Sequence, residues 1–307
     1  MIGRSVARWV ESTRLFLPDI GSTRQVPTSV YPETEYQPSK LDLGRWNLTR
    51  KGRVLSNADV VVISIPKSGR TWLKVFLKAY FSGVEKQPFS LRYRGRRENN
   101  TLDIRFNHDL WEHIVRADLR QRILGKHLTP ASVLENKPVL LVAREPKDVM
   151  VSLYFHLTRR SRLFRGTISE MLRHDRYGIR PVIWIMNSWM KFLSGRSNFH
   201  LVRYEDMHAD AAEVFRKVLD FTGHAEIAED CFQAAMNQAS FNSMKKLEAS
   251  GGSGHKCLQP ADASDPESYK VRRGIVGGYR DYLSSEDVDY LNREIRRLDP
   301  AYGYACR

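Results

Sequence analysis

Residues 60–74 read Val60-Val61-Val62-Ile63-Ser64-Ile65-Pro66-Lys67-Ser68-Gly69-Arg70-Thr71-Trp72-Leu73-Lys74. An apolar run stops at Pro66, and Trp72, Val75, Phe76 and Ala79 then recur at helical spacing. The stretch is therefore a strand over 60–65, a tight loop, and a helix over 71–82. The first backbone N–H groups of a helix have no partner inside it, and its dipole favours negative charge there, so a phosphate or sulfate is held at such a terminus. Lys67 adds a point charge, Ser68 and Thr71 add hydroxyl donors, and Gly69 lets the backbone approach a ligand closely. A Walker A loop places its lysine after a second glycine, whereas here the lysine precedes the only one. The plainer alternative is a Gly-Ser turn ahead of a buried helix.

The strand–turn–helix pattern recurs at Leu140-Leu141-Val142-Ala143-Arg144-Glu145-Pro146-Lys147-Asp148, running on to Phe155. Pro146 suits the first helical turn, where its missing N–H has no consequence, and Asp148 suits the positive end of the dipole. Arg144 stands at the strand's C-terminal end and Ser152 about two turns into the helix. Both could face one phosphate, with Arg144 gripping it in a fork that lysine cannot copy.

Pro66–Trp72 resembles the 5′-phosphosulfate loop of the sulfotransferases that use PAPS, 3′-phosphoadenosine 5′-phosphosulfate. Arg144 through Ser152 resembles their 3′-phosphate motif, Arg-x-Pro-x-Asp-x-x-x-Ser. Val202-Arg203-Tyr204-Glu205-Asp206-Met207 is similar to the family's Tyr-Glu-Asp-Leu element, whose tyrosine meets the adenine. Ala239-Ser240-Phe241-Asn242-Ser243-Met244-Lys245 is similar to its purine-side stretch. Val271-Arg272-Arg273-Gly274-Ile275-Val276-Gly277 is similar to its C-terminal clamp, with departures at Gly278 and Tyr279, where the family has Asp and Trp.

The resemblance runs over residues 58–295. It implies a single α/β domain with a central parallel sheet of about five strands, flanked by helices and carrying a P-loop-like phosphosulfate loop. It implies PAPS as co-substrate, PAP as product, and no metal. The implied donor-binding residues are Lys67, Ser68, Gly69, Arg70, Thr71, Trp72, Arg144, Ser152, Tyr204, Ser240, Phe241, Arg272, Arg273 and Gly274. Lys67 would stabilise the leaving phosphate, with Ser152 acting beside it. A histidine would serve as base for the acceptor hydroxyl or amine. His108, in Phe106-Asn107-His108-Asp109, is similar to the Phe-Thr-His-Asp of bacterial members. His127, in Lys126-His127-Leu128-Thr129-Pro130, is similar to the Lys-Thr-His-Leu-Pro of cytosolic animal members. The spacing to Arg144 favours His108, and His127 stays open.

Elsewhere, Leu102, Ile104, Phe106 and His108 alternate with polar residues, as in a half-buried strand. Residues 138–143 read as a central parallel strand and Phe199–Arg203 as another. Helical patterns occupy 147–159, 168–174, 181–194, 209–222, 227–236 and 285–297. Residues 1–55 read as a polar arm with Pro18, Pro27, Pro32 and Pro38. Residues 56–300 read as the sulfotransferase domain, including a flexible, Gly- and Pro-rich loop at 249–270.

The net charge is +14. PAPS carries roughly four negative charges and accounts for part of that excess. The basic clusters Arg92, Arg94, Arg96 and Arg97, then Arg159, Arg160 and Arg162, are otherwise solvated faces or contacts to an acidic partner. No nucleic acid is expected, because no aromatic stacking platform is interleaved with them. Cys231, Cys257 and Cys306 form neither a disulfide framework nor a zinc spacing, which fits a cytoplasmic protein. No transmembrane anchor is expected. Two rival functions stay in view: a nucleoside or nucleotide kinase with a variant phosphate loop, and a non-catalytic anion or nucleic-acid binder. The acceptor is expected to be a small molecule, carbohydrate or lipid, and no motif specifies oligomeric state.

Overall fold

Four short apolar runs become four strands in the computed structural model, which describes residues 55, 57–96, 99–108, 131–251 and 258–304. In chain order, β1 is Val60–Ser64, α1 is Arg70–Val84, β2 is Ile104–Asn107, α2 is Ala131–Glu135 and β3 is Val139–Ala143. Then α3 is Pro146–Phe155, α4 is Ile168–Arg173, α5 is Ile179–Leu193 and β4 is Phe199–Arg203. Finally α6 is Tyr204–Ala209, α7 is Ala211–Phe221, α8 is Glu229–Gln238, α9 is Phe241–Ala249 and α10 is Ser285–Ile295. Among the described residues no helix is long and apolar enough to cross a membrane.

The strands lie in the order β2-β1-β3-β4 and all pairs are parallel. Val62 stands opposite Phe106 on one side and Leu140 on the other, and Leu141 opposite Leu201. The sheet therefore has four strands among the described residues, not about five. The alternating and apolar runs in the sequence number four as well, and each is used.

Because successive strand residues face opposite ways, the two central strands feed two cores. Val61, Ile63 and Leu141 pack with Met186 and Trp189 of α5 on one face. Val60, Val62, Leu140 and Val142 pack with Phe76, Phe215 and Phe232 of α1, α7 and α8 on the other. Phe76 and Phe215 stack with centroids 4.2 Å apart, and Phe232 meets Phe76 edge-on at 5.4 Å. This cluster is the floor on which the phosphate-loop helix rests.

The chain leaves β1 for β2 on one flank and returns to β3 on the other. The carboxyl ends of β1 and β3 thus open side by side at a topological switch point, the place where open α/β sheets bind ligands. The loops after these two strands are the two phosphate motifs.

Local chemistry moves several boundaries. The helix predicted over 147–159 is α-helical to Phe155 and then widens into a π turn over His156–Arg160. The pattern predicted over 209–222 breaks at Asp210, whose carboxylate accepts from Glu213 N at 2.9 Å and starts α7 afresh. Within the Pro-rich stretch, Asp265 caps a 3₁₀ turn over Pro266–Ser268, and Leu258 and Ser268 are buried. The predicted arm over 1–55, except Leu55, lies outside the described residues, as does 252–257.

Phe76, on the loop helix α1, is fully buried against Phe215 and Phe232. Replacing it with alanine is expected to lower unfolding free energy by about 3–5 kcal/mol, measured by urea denaturation. A loss under about 1 kcal/mol would mean that the cluster does not support α1.

Candidate active site

Between β1 and α1 the backbone turns left-handed twice, at Lys67 (φ 67°) and Gly69 (φ 88°). Alternation of this kind turns successive N–H groups into one concavity, which suits an anion. No side chain caps α1 and its first turn holds no acidic residue, so the positive end of the dipole is left exposed to a ligand. Ser68 is buried and its hydroxyl has no hydrogen-bond partner, a donor waiting for an acceptor. Gly69 is required twice over. Its φ favours glycine, and a Cβ there would lie 2.6 Å from Tyr204 Cδ2.

Arg144, just past β3, donates from Nη2 to Asp148 Oδ2 at 3.1 Å and to the Ile275 carbonyl at 2.8 Å. Its guanidinium lies 4.2 Å from the centre of the Tyr204 ring. Asp148 does more than complement the α3 dipole. Its buried carboxylate accepts from Gly277 N at 2.8 Å and Tyr279 N at 2.9 Å, tying the C-terminal clamp to α3. The departures at Gly278 and Tyr279 are accommodated at this tie. Gly278 packs against Ile275, and the Tyr279 ring lies under Lys147 and Arg280.

The clamp is anchored a second time by Glu248. Fully buried, it accepts from Lys270 N at 2.7 Å and Val271 N at 2.8 Å, and pairs with Arg160 at 3.2 Å. Arg272 donates to Glu267 at 2.9 Å and Tyr282 at 2.6 Å, and covers the Phe155 ring. Arg273 pairs with Asp281 at 2.6 Å. Gly274 is left-handed (φ 65°) with the Phe241 ring beneath it, 2.6 Å from where a Cβ would stand. His208 Nε2 donates to the Gly274 carbonyl at 2.8 Å.

These elements enclose one cleft of about 390 Å³. Of the residues singled out from sequence, Lys67, Gly69, Arg70, Thr71, Trp72, His108, Arg144, Ser152, Tyr204, Phe241, Arg272, Arg273 and Gly274 line it. Ser68 stands behind the loop. Ser240 is exposed and caps α9, its hydroxyl accepting from Ser243 N at 3.3 Å. His127 lies outside the described residues. Asp148 as clamp tie, Glu248, Lys270 and His208 were not anticipated. A carboxylate four residues after Arg144 was visible in the sequence, but its partners lie about 130 positions downstream.

Burial first, then Lys270, Arg160 and Arg272, push the Lys67 ammonium well below the ordinary lysine range, with Glu248 opposing. His108 follows β2 directly, and its Nδ1 lies 3.1 Å from the Ser64 carbonyl and 2.9 Å from Ser64 Oγ. A carbonyl can only accept, so a hydrogen on Nδ1 satisfies that contact and leaves the lone pair on Nε2, while the Ser64 hydroxyl can serve either tautomer. Burial raises the Glu145 carboxyl to about 6, against Lys147, while Glu205 links Glu145 N to the Tyr304 hydroxyl. Among the described residues no group of three or more His, Cys, Asp or Glu side chains is arranged to hold a metal ion.

The chain matches the family described as "Sulfotransferase domain" over residues 57–298. Cytosolic sulfotransferase 13 of Arabidopsis thaliana is 25% identical over 256 residues, covering 78% of this chain and 76% of its own. The amine sulfotransferase of Oryctolagus cuniculus is 25% identical over 253 residues, with 76% and 78% covered. Among solved structures, mouse sulfotransferase SULT7A1 complexed with PAP shares the fold with a TM-score of 0.52 at 19% identity, covering 80% of this chain and 88% of that one. Retinol dehydratase in complex with androsterone and PAP shares it at 0.53 and 19%, covering 78% and 79%. With the family match spanning both phosphate loops and every strand, this chain belongs to the sulfotransferase family.

Proposed function

We propose that this enzyme transfers the sulfuryl group of PAPS to a hydroxyl, or an amine, of a small acceptor, with His108 as base and Lys67 at the leaving phosphate. One observation carries the reading: two cationic cradles, at the adjacent carboxyl ends of β1 and β3, open into a single cleft. Family membership displaces both the kinase and the simple anion-binder readings.

The residues present fit the donor. The left-handed loop, the unpartnered Ser68 hydroxyl and the uncapped α1 terminus suit its 5′ end, with Lys67, Arg70 and Thr71 alongside. Arg144 and Ser152, with Arg272, Arg273 and the Gly274 backbone, suit its 3′-phosphate. Trp72, Tyr204 and Phe241 supply aromatic faces for the base, and Phe241 is 39% exposed although large and apolar. Ser240 supports this wall by capping α9. When bound, PAPS supplies a sulfuryl group on a good leaving phosphate.

His108 Nε2 takes the acceptor's proton as the acceptor atom bonds to sulfur. Lys67 donates to the phosphate oxygen that sulfur leaves, and Ser152 shares that charge from α3. Positioning and charge stabilisation of this kind dominate related phosphoryl transfers. A cytoplasmic location is part of the reading, supported by cytosolic sulfotransferases among the relatives.

His108→Ala is expected to bind PAP normally by calorimetry and to lose about 10²–10⁴-fold in turnover with labelled PAPS. Near-parental turnover in this variant, with loss in His127→Ala, would move the base to His127.

Lys67 gives a pH test. Its pKa is depressed in the free enzyme, and an anion beside it raises that value towards the ordinary 10.5. Between the two values the free lysine is neutral and the bound one charged. PAP binding should therefore take up a proton there, and affinity should fall as pH rises through that window. Calorimetry in buffers of different ionisation enthalpy reads the proton directly. Lys67→Met should abolish it, and an unchanged proton count in that variant would refute the assignment.

A further inference from the structure

A second cavity, of about 400 Å³, lies along the edge strand β2 and is lined by Lys74, Lys78, Arg92, Arg94 and Arg105. No carboxylate lines it among the described residues. Asp103, the nearest acidic neighbour in sequence, is paired with Arg105. Lys78 is only 5% exposed, yet among the described residues its ammonium donates to nothing better than the Ile104 carbonyl at 3.5 Å. It sits 5.8 Å from the centres of the Tyr93 and Phe106 rings. Burial first, with Lys74, Arg105 and Arg94 acting the same way and Asp103 opposing, lowers its pKa to about 7. Asp103 is the one acidic group acting on this buried ammonium among the described residues, and it is already paired with Arg105, so the cations and two aromatic faces around Lys78 leave room for a further counter-charge.

Two elements run from this cavity into the catalytic cleft. On β2, Ile104–Asn107 border the cavity and His108 borders the cleft. On α1, Lys74 and Lys78 border the cavity, and Thr71 and Trp72 border the cleft. A strand rises about 3.3 Å per residue, so Phe106 lies roughly 7 Å and Ile104 roughly 13 Å from His108. Arg92 and Arg94 are exposed at the rim, and both also line a third cavity beside Arg96. The donor leaves much of the +14 charge unassigned, and this surface holds a share of it.

Resting on the assignment of His108 as base, we propose that the β2-edge cavity is the acceptor subsite, and that it selects acceptors carrying a fixed negative charge, a carboxylate or sulfate, roughly 7–13 Å from the reacting hydroxyl. Lys78 anchors the charge, Arg92 and Arg94 recruit it, and Tyr93 and Phe106 hold the intervening apolar part.

The test uses the full chain with labelled PAPS and paired acceptors: ω-hydroxycarboxylates of increasing length against diols of equal length. The carboxylates should be preferred in kcat/KM by about tenfold or more once long enough to span the gap, as suits a charge-assisted hydrogen bond. The Arg92→Gln/Arg94→Gln variant, changed only at exposed positions, should lose most of that preference through KM. Its turnover of the diols and its PAP affinity should stay unchanged. Lys78→Met, which keeps the buried volume, should lose the preference as well. Parental PAP binding without discrimination between the pairs, or discrimination that survives all three substitutions, would overturn the acceptor assignment alone. Failure of the parent to bind PAP would instead overturn the functional reading beneath it.

Discussion

Like charges crowd the cleft of this enzyme, and two buried carboxylates, Glu248 and Asp148, hold them in place. Glu248 fixes Arg160 and the backbone of Lys270 and Val271. Asp148 fixes Arg144 and the backbone of Gly277 and Tyr279. Between these two ties the chain carries Arg272, Arg273 and Gly274 across the mouth of the cleft. Removing one partner of a buried pair leaves an uncompensated charge, which is why such ties fix geometry more firmly than their net stability suggests. Lys270, Arg160 and Arg272 lower the Lys67 pKa alongside burial, and an anion placed beside Lys67 would offset them.

The sheet topology makes this crowding possible. The phosphate loop and Arg144 are far apart in the chain, yet β1 and β3 are neighbours. Their carboxyl ends place one loop's N–H groups beside the other's guanidinium. The two cores behind them, with Phe76 of α1 on one face and Trp189 of α5 on the other, support both loops. The same sheet holds His108, the proposed base, since Ser64 at the end of β1 meets His108 just past β2. The proposed acceptor cavity extends from that residue along β2.

Features set by local chemistry were legible in the sequence. Continuous apolar runs located β1 and β3, alternation located β2, and Phe199–Arg203 was read with its observed limits. The residue types of the phosphate loop and of Arg144–Ser152 announced anion binding before any fold was known. Features set by distant partners were not legible. Asp148 read as a dipole partner because Gly277 and Tyr279 lie about 130 residues away. The arginines at 92 and 94 looked like a scattered basic face until folding set them beside Lys74 and Lys78 from another element.

The central claim is that one nucleotide spans both cradles. A crystal structure of the PAP complex tests it most directly. The account predicts the 5′-phosphate within hydrogen-bonding distance of the backbone N–H groups at 68–71 and of Lys67, with the 3′-phosphate on Arg144 and Ser152. PAP bound elsewhere, or bound in the cleft without touching Lys67 and Arg144, would contradict it.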